Sequence, residues 1–303
     1  MVMTAPSHIP NTPRRRLLVG AALPQNEIGN DPDILRDFAQ GIEALGFNHL
    51  VIYDHVLGAD TSVHKGDFLY SHKDAFHEPF VTLGFLAGAT RHLGFATSVL
   101  VLAQRQTALV AKQAAELDLL LEGRFRFGVG LGWNEVEYEA LGQDFSTRGR
   151  RLDEQVALLR RYWTERSVTF EGEFDRVTGA GIAPMPLQQP IPIWFGGGSK
   201  PAFRRMGRLA DGWYPMMTPG PELDEAMTTI ATAAEAAGRD PKAIGMEGRI
   251  TWTGDLDQVK VEAEQWRALD ASHVSINTMG SGLTSIDAHV DVLATVAQAL
   301  ELR

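Results

Sequence analysis

An aspartate and a histidine end an apolar run in HLVIYDHVLG, residues 49–58. Leu50, Val51, Ile52 and Tyr53 suit a covered pleated strand, because β-branched and aromatic side chains pack well there. Asp54 and His55 then stand at the strand's end. A histidine in that position exchanges protons near neutral pH or donates a hydrogen bond to developing negative charge. A turn or cap is the plainer role for such a pair.

Two further stretches combine glycines with polar side chains. In GVGLGWNEVEYEALG, residues 128–142, Gly128, Gly130 and Gly132 let the backbone approach something closely. Trp133 offers a flat surface, while Asn134 and Tyr138, four residues apart, can face one way on a helix. The glycine spacing is not that of a dinucleotide fingerprint. In PIWFGGGSKPAFRRMGRLADGW, residues 192–213, a strand ends at Phe195 and a helix begins near Ser199 or Pro201. Gly196, Gly197, Gly198 and Ser199 would present backbone amides at that helix start, a ready phosphate site, with Lys200, Arg204 and Arg208 adding charge. The Gly-Lys-Ser/Thr ending of a P-loop is missing, as is a Gly-x-Ser-x-Gly nucleophile elbow. His64, His72, His77 and Glu78 have no recognised ligand spacing, so no metal site is expected.

These residues need elements to position them. Short apolar runs at Leu17–Leu23, 49–53, Leu93–Leu102, Phe125–Leu131, Ile191–Phe195, Gly212–Pro215, Ile244–Thr251 and His273–Asn277 read as strands. Amphipathic segments lie between them. Asp31-Pro32 reads as an N-cap with proline at the first helical position, and Gly46 as a stop. Leu152, Val156, Leu159 and Trp163 share one helical face, as do Val290, Leu293, Val296 and Leu300. Eight alternating units predict a TIM-like (β/α)8 barrel with insertions as a single domain over residues 14–303, with an open doubly wound sheet as the rival. Residues 59–78 and 164–190 exceed ordinary connections and are expected to be lids or binding walls. Asp54 and His55 would then sit at the C-terminal mouth, where barrel active sites lie.

Composition narrows the chemistry. The chain has 303 residues, 44% of them hydrophobic, a formal charge of −10 and no cysteine. That excludes disulfides and thiolate chemistry and argues against general nucleic-acid binding. No apolar run reaches the length of a membrane span. PRRRLLVGAALPQNE resembles a twin-arginine export signal, but its apolar part is short and meets Pro24, Gln25 and Glu27. It reads better as a first core strand behind a flexible tail, residues 1–13, in a cytoplasmic protein.

Taken in order, YDHV, EPFVTLGFLAGATRHLGFATSVLVLAQRQ, AAELDLLLEGRFRFGVGLGWNEVEYEALG, RRLDEQVALLRRYWTE and PIPIWFGGGSKPAFRRMGRLADGWYP resemble the luciferase-like monooxygenase superfamily. They are most similar to the branch that uses the deazaflavin coenzyme F420; FMN is the alternative coenzyme. The resemblance runs from about Leu17 to Gly238. It implies a hydride-transferring oxidoreductase acting on a small organic substrate. An FMN-dependent monooxygenase and a non-catalytic coenzyme-binding protein are the rivals. It also implies that Asp54 lies against the ring's polar edge and His55 faces the reacting carbon. Ser98-Val99 would form a cis peptide behind the ring, Asn134 and Tyr138 would contact the ribityl chain or phosphate, and Gly196–Gly198 the phosphate. Ser199 and Lys200 would help hold the phosphate and an acidic tail. A homodimer through the helices after strands two and three is implied as well. The sugar-phosphate dehydrogenase branch carries a tryptophan soon after its Asp-His and a glutamate after its strand-four glycines. Here those places read Val56-Leu57-Gly58 and Trp133-Asn134, which argues against a sugar phosphate as substrate.

Overall fold

The computed structural model describes residues 16–302; the expected tail, residues 1–13, lies outside them. The strands are β1 (Leu18–Ala22), β2 (His49–Ile52), β3 (Gly94–Thr97), β4 (Leu100–Val101), β5 (Phe125–Gly130), β6 (Val168–Glu171), β7 (Arg176–Ala180), β8 (Ile193–Gly196), β9 (Gly212–Tyr214), β10 (Gly245–Thr251) and β11 (His273–Asn277). The α-helices are α1 (Pro32–Ala44), α2 (Pro79–Ala87), α3 (Thr107–Leu120), α4 (Glu135–Ala140), α5 (Arg148–Thr164), α6 (Lys200–Leu209), α7 (Pro221–Ala236), α8 (Leu256–Ala268) and α9 (Ile286–Ala299).

Parallel pairing runs β1–β2–β3–β5–β8–β9–β10–β11 and returns from β11 to β1. The sheet therefore closes into an eight-stranded barrel with helices outside it, and the open-sheet rival is excluded. Each barrel strand falls inside one of the apolar runs read from the sequence, or within a residue of it. The run 93–102 is split: β3 stops at Thr97, and β4 resumes pairing with β5 at Leu100. Between them the Ser98-Val99 peptide bond is cis.

Local signals act as expected at α1. The Asp31 side chain accepts from the Asp33 amide, Pro32 opens the helix, and Gly46 takes a left-handed φ of 87° just past its end. Leu35, Phe38 and Ile42 bury one face of α1, and Leu152, Val156, Leu159 and Trp163 one face of α5. Trp163 packs edge-on to Phe127 with centroids 5.9 Å apart and donates its indole N–H to the Ala111 carbonyl at 3.0 Å. Burial of such side chains between helices and sheet stabilises the fold by about 1.5–3 kcal/mol each. Residues 59–78 form a loop crossed by one bridge, Ala59 to Ser71. Residues 164–190 contain the antiparallel β6–β7 hairpin, which alternation alone did not reveal because both strands are largely exposed.

Candidate active site

A cavity of about 490 Å³ opens where the barrel strands end. Tyr53, Ser98, Leu131, Gly197 and Pro215, each just past the end of its strand, line it, which places it at the C-terminal mouth. Its size lies in the range of small-molecule sites. Of the residues singled out in the sequence, Ser98, Val99, Gly196, Gly197, Gly198 and Ser199 form part of the wall. Asp54, His55, Asn134, Tyr138 and Lys200 are not wall residues.

Thr97 and Val99 explain the glycines Gly128 and Gly130 of β5 and Gly196 of β8. A Cβ on Gly130 would overlap Val99 Cγ2, and one on Gly196 would come within 2.8 Å of Val99 Cγ1. A Cβ on Gly128 would overlap the Thr97 carbonyl. The close approach foreseen in GVGLG is thus an approach to the β3–β4 interruption, which seats Val99 in the cavity wall.

Glycine backbone and two arginines meet in the cavity wall. Gly197 has φ 147°, a conformation open to glycine. Ser199 caps α6, accepting from the Ala202 amide at 3.4 Å. Arg148, the first residue of α5, and Arg205, in the second turn of α6, reach the same wall. Arg205 is paired with Asp153 and donates to the Gly149 carbonyl at 3.1 Å. Arg148 stacks 3.6 Å over Phe145 and donates to its carbonyl at 2.7 Å, while its buried Nε has no partner. Lys200 instead pairs with Glu225 at 2.7 Å, and Arg204 is exposed. Sequence reading missed Arg148 and Arg205: both sit among other arginines, and only helix direction distinguishes them.

The Asp54 carboxylate is buried and fully engaged. Arg105 donates to Oδ1 at 2.8 Å and the Val101 amide to Oδ2 at 2.9 Å. Burial pushes the carboxyl up against the pull of Arg105 and that amide. Arg105 also reaches Glu78, the N-cap of α2, at 3.3 Å. Asp54 therefore ties the end of β2 to the segment after β4.

His55 Nδ1 lies 3.2 Å from Glu137 Oε2, and Nε2 has no hydrogen-bond partner among the described residues. The ring is walled by Phe76 at 4.8 Å and by Tyr70 and Trp133, each at 5.4 Å. Tyr70 and Phe76 come from the 59–78 loop, and Trp133 joins His55 to the cavity wall. Glu137, buried on α4, also accepts from the Val56 amide at 2.6 Å and the Leu57 amide at 3.1 Å. Asn134 caps α4 and donates to the Leu57 carbonyl at 3.0 Å, and the Tyr138 hydroxyl donates to the Leu131 carbonyl at 2.6 Å. Glu137 is one of three glutamates in WNEVEYEA, and nothing in their spacing singles it out.

Beneath the cavity the barrel interior is polar. Glu247 meets His49 Nε2 at 2.9 Å and Arg126 at 2.6 Å. Burial opposes ionisation of Glu247, but Arg126 and His49 outweigh it and hold the carboxyl well below its usual range. Burial, with Arg126 and His49, pushes His273 down to about 2. The Tyr214 hydroxyl, on the cavity wall, is buried without a partner. Among the described residues no group of three or more His, Asp or Glu is placed to hold a metal ion, and no helix is long and apolar enough to cross a membrane.

A closed parallel barrel with a cavity at the C-terminal mouth, an interrupted third strand and a glycine turn opening α6 defines a recognisable class. The chain belongs to the luciferase-like monooxygenase family, whose model matches residues 12–288. It is 36% identical to an uncharacterised protein of Mycobacterium tuberculosis over 208 residues, 66% of this chain and 71% of that one. It is 31% identical to an F420-dependent glucose-6-phosphate dehydrogenase of Nakamurella multipartita over 247 residues, 78% of this chain and 69% of the relative. Among solved structures, the monooxygenase RslO1 of Streptomyces bottropensis shares the fold, with a TM-score of 0.77 at 18% identity, over 94% of this chain and 99% of that one.

Proposed function

We propose that this chain is an oxidoreductase that transfers a hydride between the deazaflavin coenzyme F420 and a small organic substrate. The observation that carries the proposal is the cavity itself. Its wall joins the glycine backbone of 196–198 and two arginines to Val99 and to Trp133, which packs on His55. Such a shape suits a long coenzyme with an anionic end and a planar ring. The unpartnered Arg148 Nε and Tyr214 hydroxyl are polar atoms that a bound polar ligand would satisfy. The F420-dependent relative supports this coenzyme over FMN.

On this reading the amides of Gly196, Gly197 and Gly198, the Ser199 hydroxyl, Arg148 and Arg205 hold the phosphate, and Lys200 at the rim meets the acidic tail. Ser98 and Val99 back the ring. When bound, the deazaflavin supplies the hydride chemistry. His55 gives or takes the proton beside it through Nε2, while Glu137 fixes the imidazole through Nδ1. Asp54 holds Arg105 and Val101, and Asn134 and Tyr138 hold the turn that carries Trp133. Closure by the 59–78 loop excludes water. Val81 and Phe85 on α2 and Leu109 and Leu120 on α3 are exposed apolar side chains, and we propose that they pair two copies into a homodimer.

The test is titration of apo-protein with F420 and with FMN, followed by absorbance and fluorescence. F420 is expected to saturate at micromolar concentration or below, with FMN much weaker. Tight FMN binding with oxygen-dependent turnover would replace this reading by a monooxygenase. F420 binding without reduction across a broad substrate panel would replace it by a binding protein.

A further inference from the structure

Arg249 stands two residues beyond Glu247 in β10, and both side chains line the cavity. Their situations differ. The Glu247 carboxylate is consumed by His49 and Arg126. Arg249 is exposed to the cavity mouth, and no carboxylate among the described residues lies within ion-pair distance of it. Its neighbours are hydroxyls. Tyr53 and Ser275 share its wall. Burial pushes the Tyr53 and Tyr70 phenols up, and the Arg249 charge pulls against it in both cases.

This cation is separate from the anion-binding end. Arg148 and Arg205 enter from α5 and α6, whereas Arg249 comes from the barrel wall, near Tyr53, just past the end of β2, and the loop residue Tyr70. Tyr70 packs on His55. Apolar surface completes this side: Val56, Leu57 and Trp133 are exposed, and Phe76 flanks the imidazole.

We propose that Arg249 is the specificity residue for the substrate, and that the substrate is a monocarboxylic acid with an apolar, preferably aromatic body. The carboxylate would take two guanidinium N–H donors in a forked pair, with the Tyr53 and Ser275 hydroxyls as further donors. The body would lie against Trp133, Tyr70 and Phe76. One guanidinium among neutral hydroxyls balances one negative charge. The second charge of a phosphate dianion would be left without a partner there. The placement of the reacting carbon near His55 rests on the hydride-transfer reading; the carboxylate site does not.

The experiment titrates coenzyme-free protein with phenylacetate, phenylacetamide and phenyl phosphate, reading the quenching of tryptophan fluorescence to which Trp133 contributes. Phenylacetate is expected to bind at least tenfold more tightly than the amide. Arg249→Met is expected to remove that preference, Arg249→Lys to keep part of it, and Arg148→Met to leave it in place, with the melting temperature of each variant measured alongside. Equal binding of acid and amide, or no saturable binding of the acid, would overturn the proposal. So would a preference that survives Arg249→Met, one lost instead in Arg148→Met, or tighter binding of phenyl phosphate that is itself lost in Arg249→Met. F420 titration of the same Arg249→Met protein separates the two readings. Failure of F420 to bind the parent protein refutes the coenzyme assignment and leaves the carboxylate result standing on its own.

Discussion

Glu137 holds three donors with one carboxylate: the amides of Val56 and Leu57 and the Nδ1 of His55. Replacing it with alanine removes all three bonds at once. Hydrogen bonds to a charged acceptor contribute about 1.5–3 kcal/mol each when the donors are left dry. Val56 and Leu57 are exposed residues, so water can reach their amides and the lower figure of about 1 kcal/mol per bond applies. Glu137→Ala should therefore lower unfolding free energy by about 3 kcal/mol. Glu137→Gln separates packing from chemistry. Its carbonyl oxygen still accepts from both amides, so stability should fall by only about 1 kcal/mol. Its NH2 group, however, faces His55 Nδ1 and forces that nitrogen to accept, leaving the proton on Nε2. The imidazole is then in the wrong tautomer to take a proton at the substrate. Urea unfolding gives the stabilities, and F420-linked turnover with coenzyme titration gives the function. Both variants should lose about tenfold or more in kcat with coenzyme affinity unchanged. Turnover in Glu137→Gln equal to that of the parent, or equal destabilisation by the two substitutions, would refute this account of the Glu137–His55 pair.

Three other outcomes follow from the same geometry. His273 is held neutral in the fold, its value pushed from 6.5 down to about 2 by burial. The unfolded chain therefore binds an extra proton below its ordinary value, and stability should fall as pH drops from about 6.5, by up to about 1.4 kcal/mol per unit for this group. His273→Asn should flatten the urea-midpoint profile between neutral pH and the carboxylate range; an unchanged slope would contradict this. Gly130→Ala should cost about 1–3 kcal/mol because its methyl group meets Val99. Adding Val99→Ala should recover most of that loss, and additive losses in the double variant would disprove the contact. Arg148→Met should weaken F420 binding by about tenfold or more while leaving kcat at saturation near the parent value. An unaltered dissociation constant would remove Arg148 from the anion site.

The barrel was legible because its staves are buried on both faces and read as apolar runs, with caps such as Asp31-Pro32 marking helix starts. The β6–β7 hairpin was not, since VTFE and RVTGA bury little and lack a period tied to the core. Inside the barrel the same alternation misleads. Glu247 and Arg249 look like the solvent face of a half-buried strand, yet both line the cavity, Glu247 buried and Arg249 open to its mouth. Closure is a property of all eight strands together, and no local pattern encodes it. The glycine turn at 196–198 could be found because its chemistry is local, whereas nothing local in ATSVLV marks Ser98-Val99, to which only the family resemblance pointed. Glu137 acts on the Val56 amide 81 residues away and Arg205 on Asp153 52 residues away, partners that only the fold brings near, while Arg148 bonds a carbonyl three residues back and meets the cavity only through the fold. Asn134 and Tyr138 share their helical spacing with a ligand-facing pair, but both spend their hydrogen bonds on nearby carbonyls.

The most direct test is a crystal structure of the protein with F420 bound. The account predicts the phosphate against the amides of Gly197–Ser199 with Arg148 and Arg205 beside it, the ring resting on Val99, and His55 Nε2 on the side where substrate enters. A phosphate seated elsewhere, or a ring lying outside the barrel mouth, would contradict it.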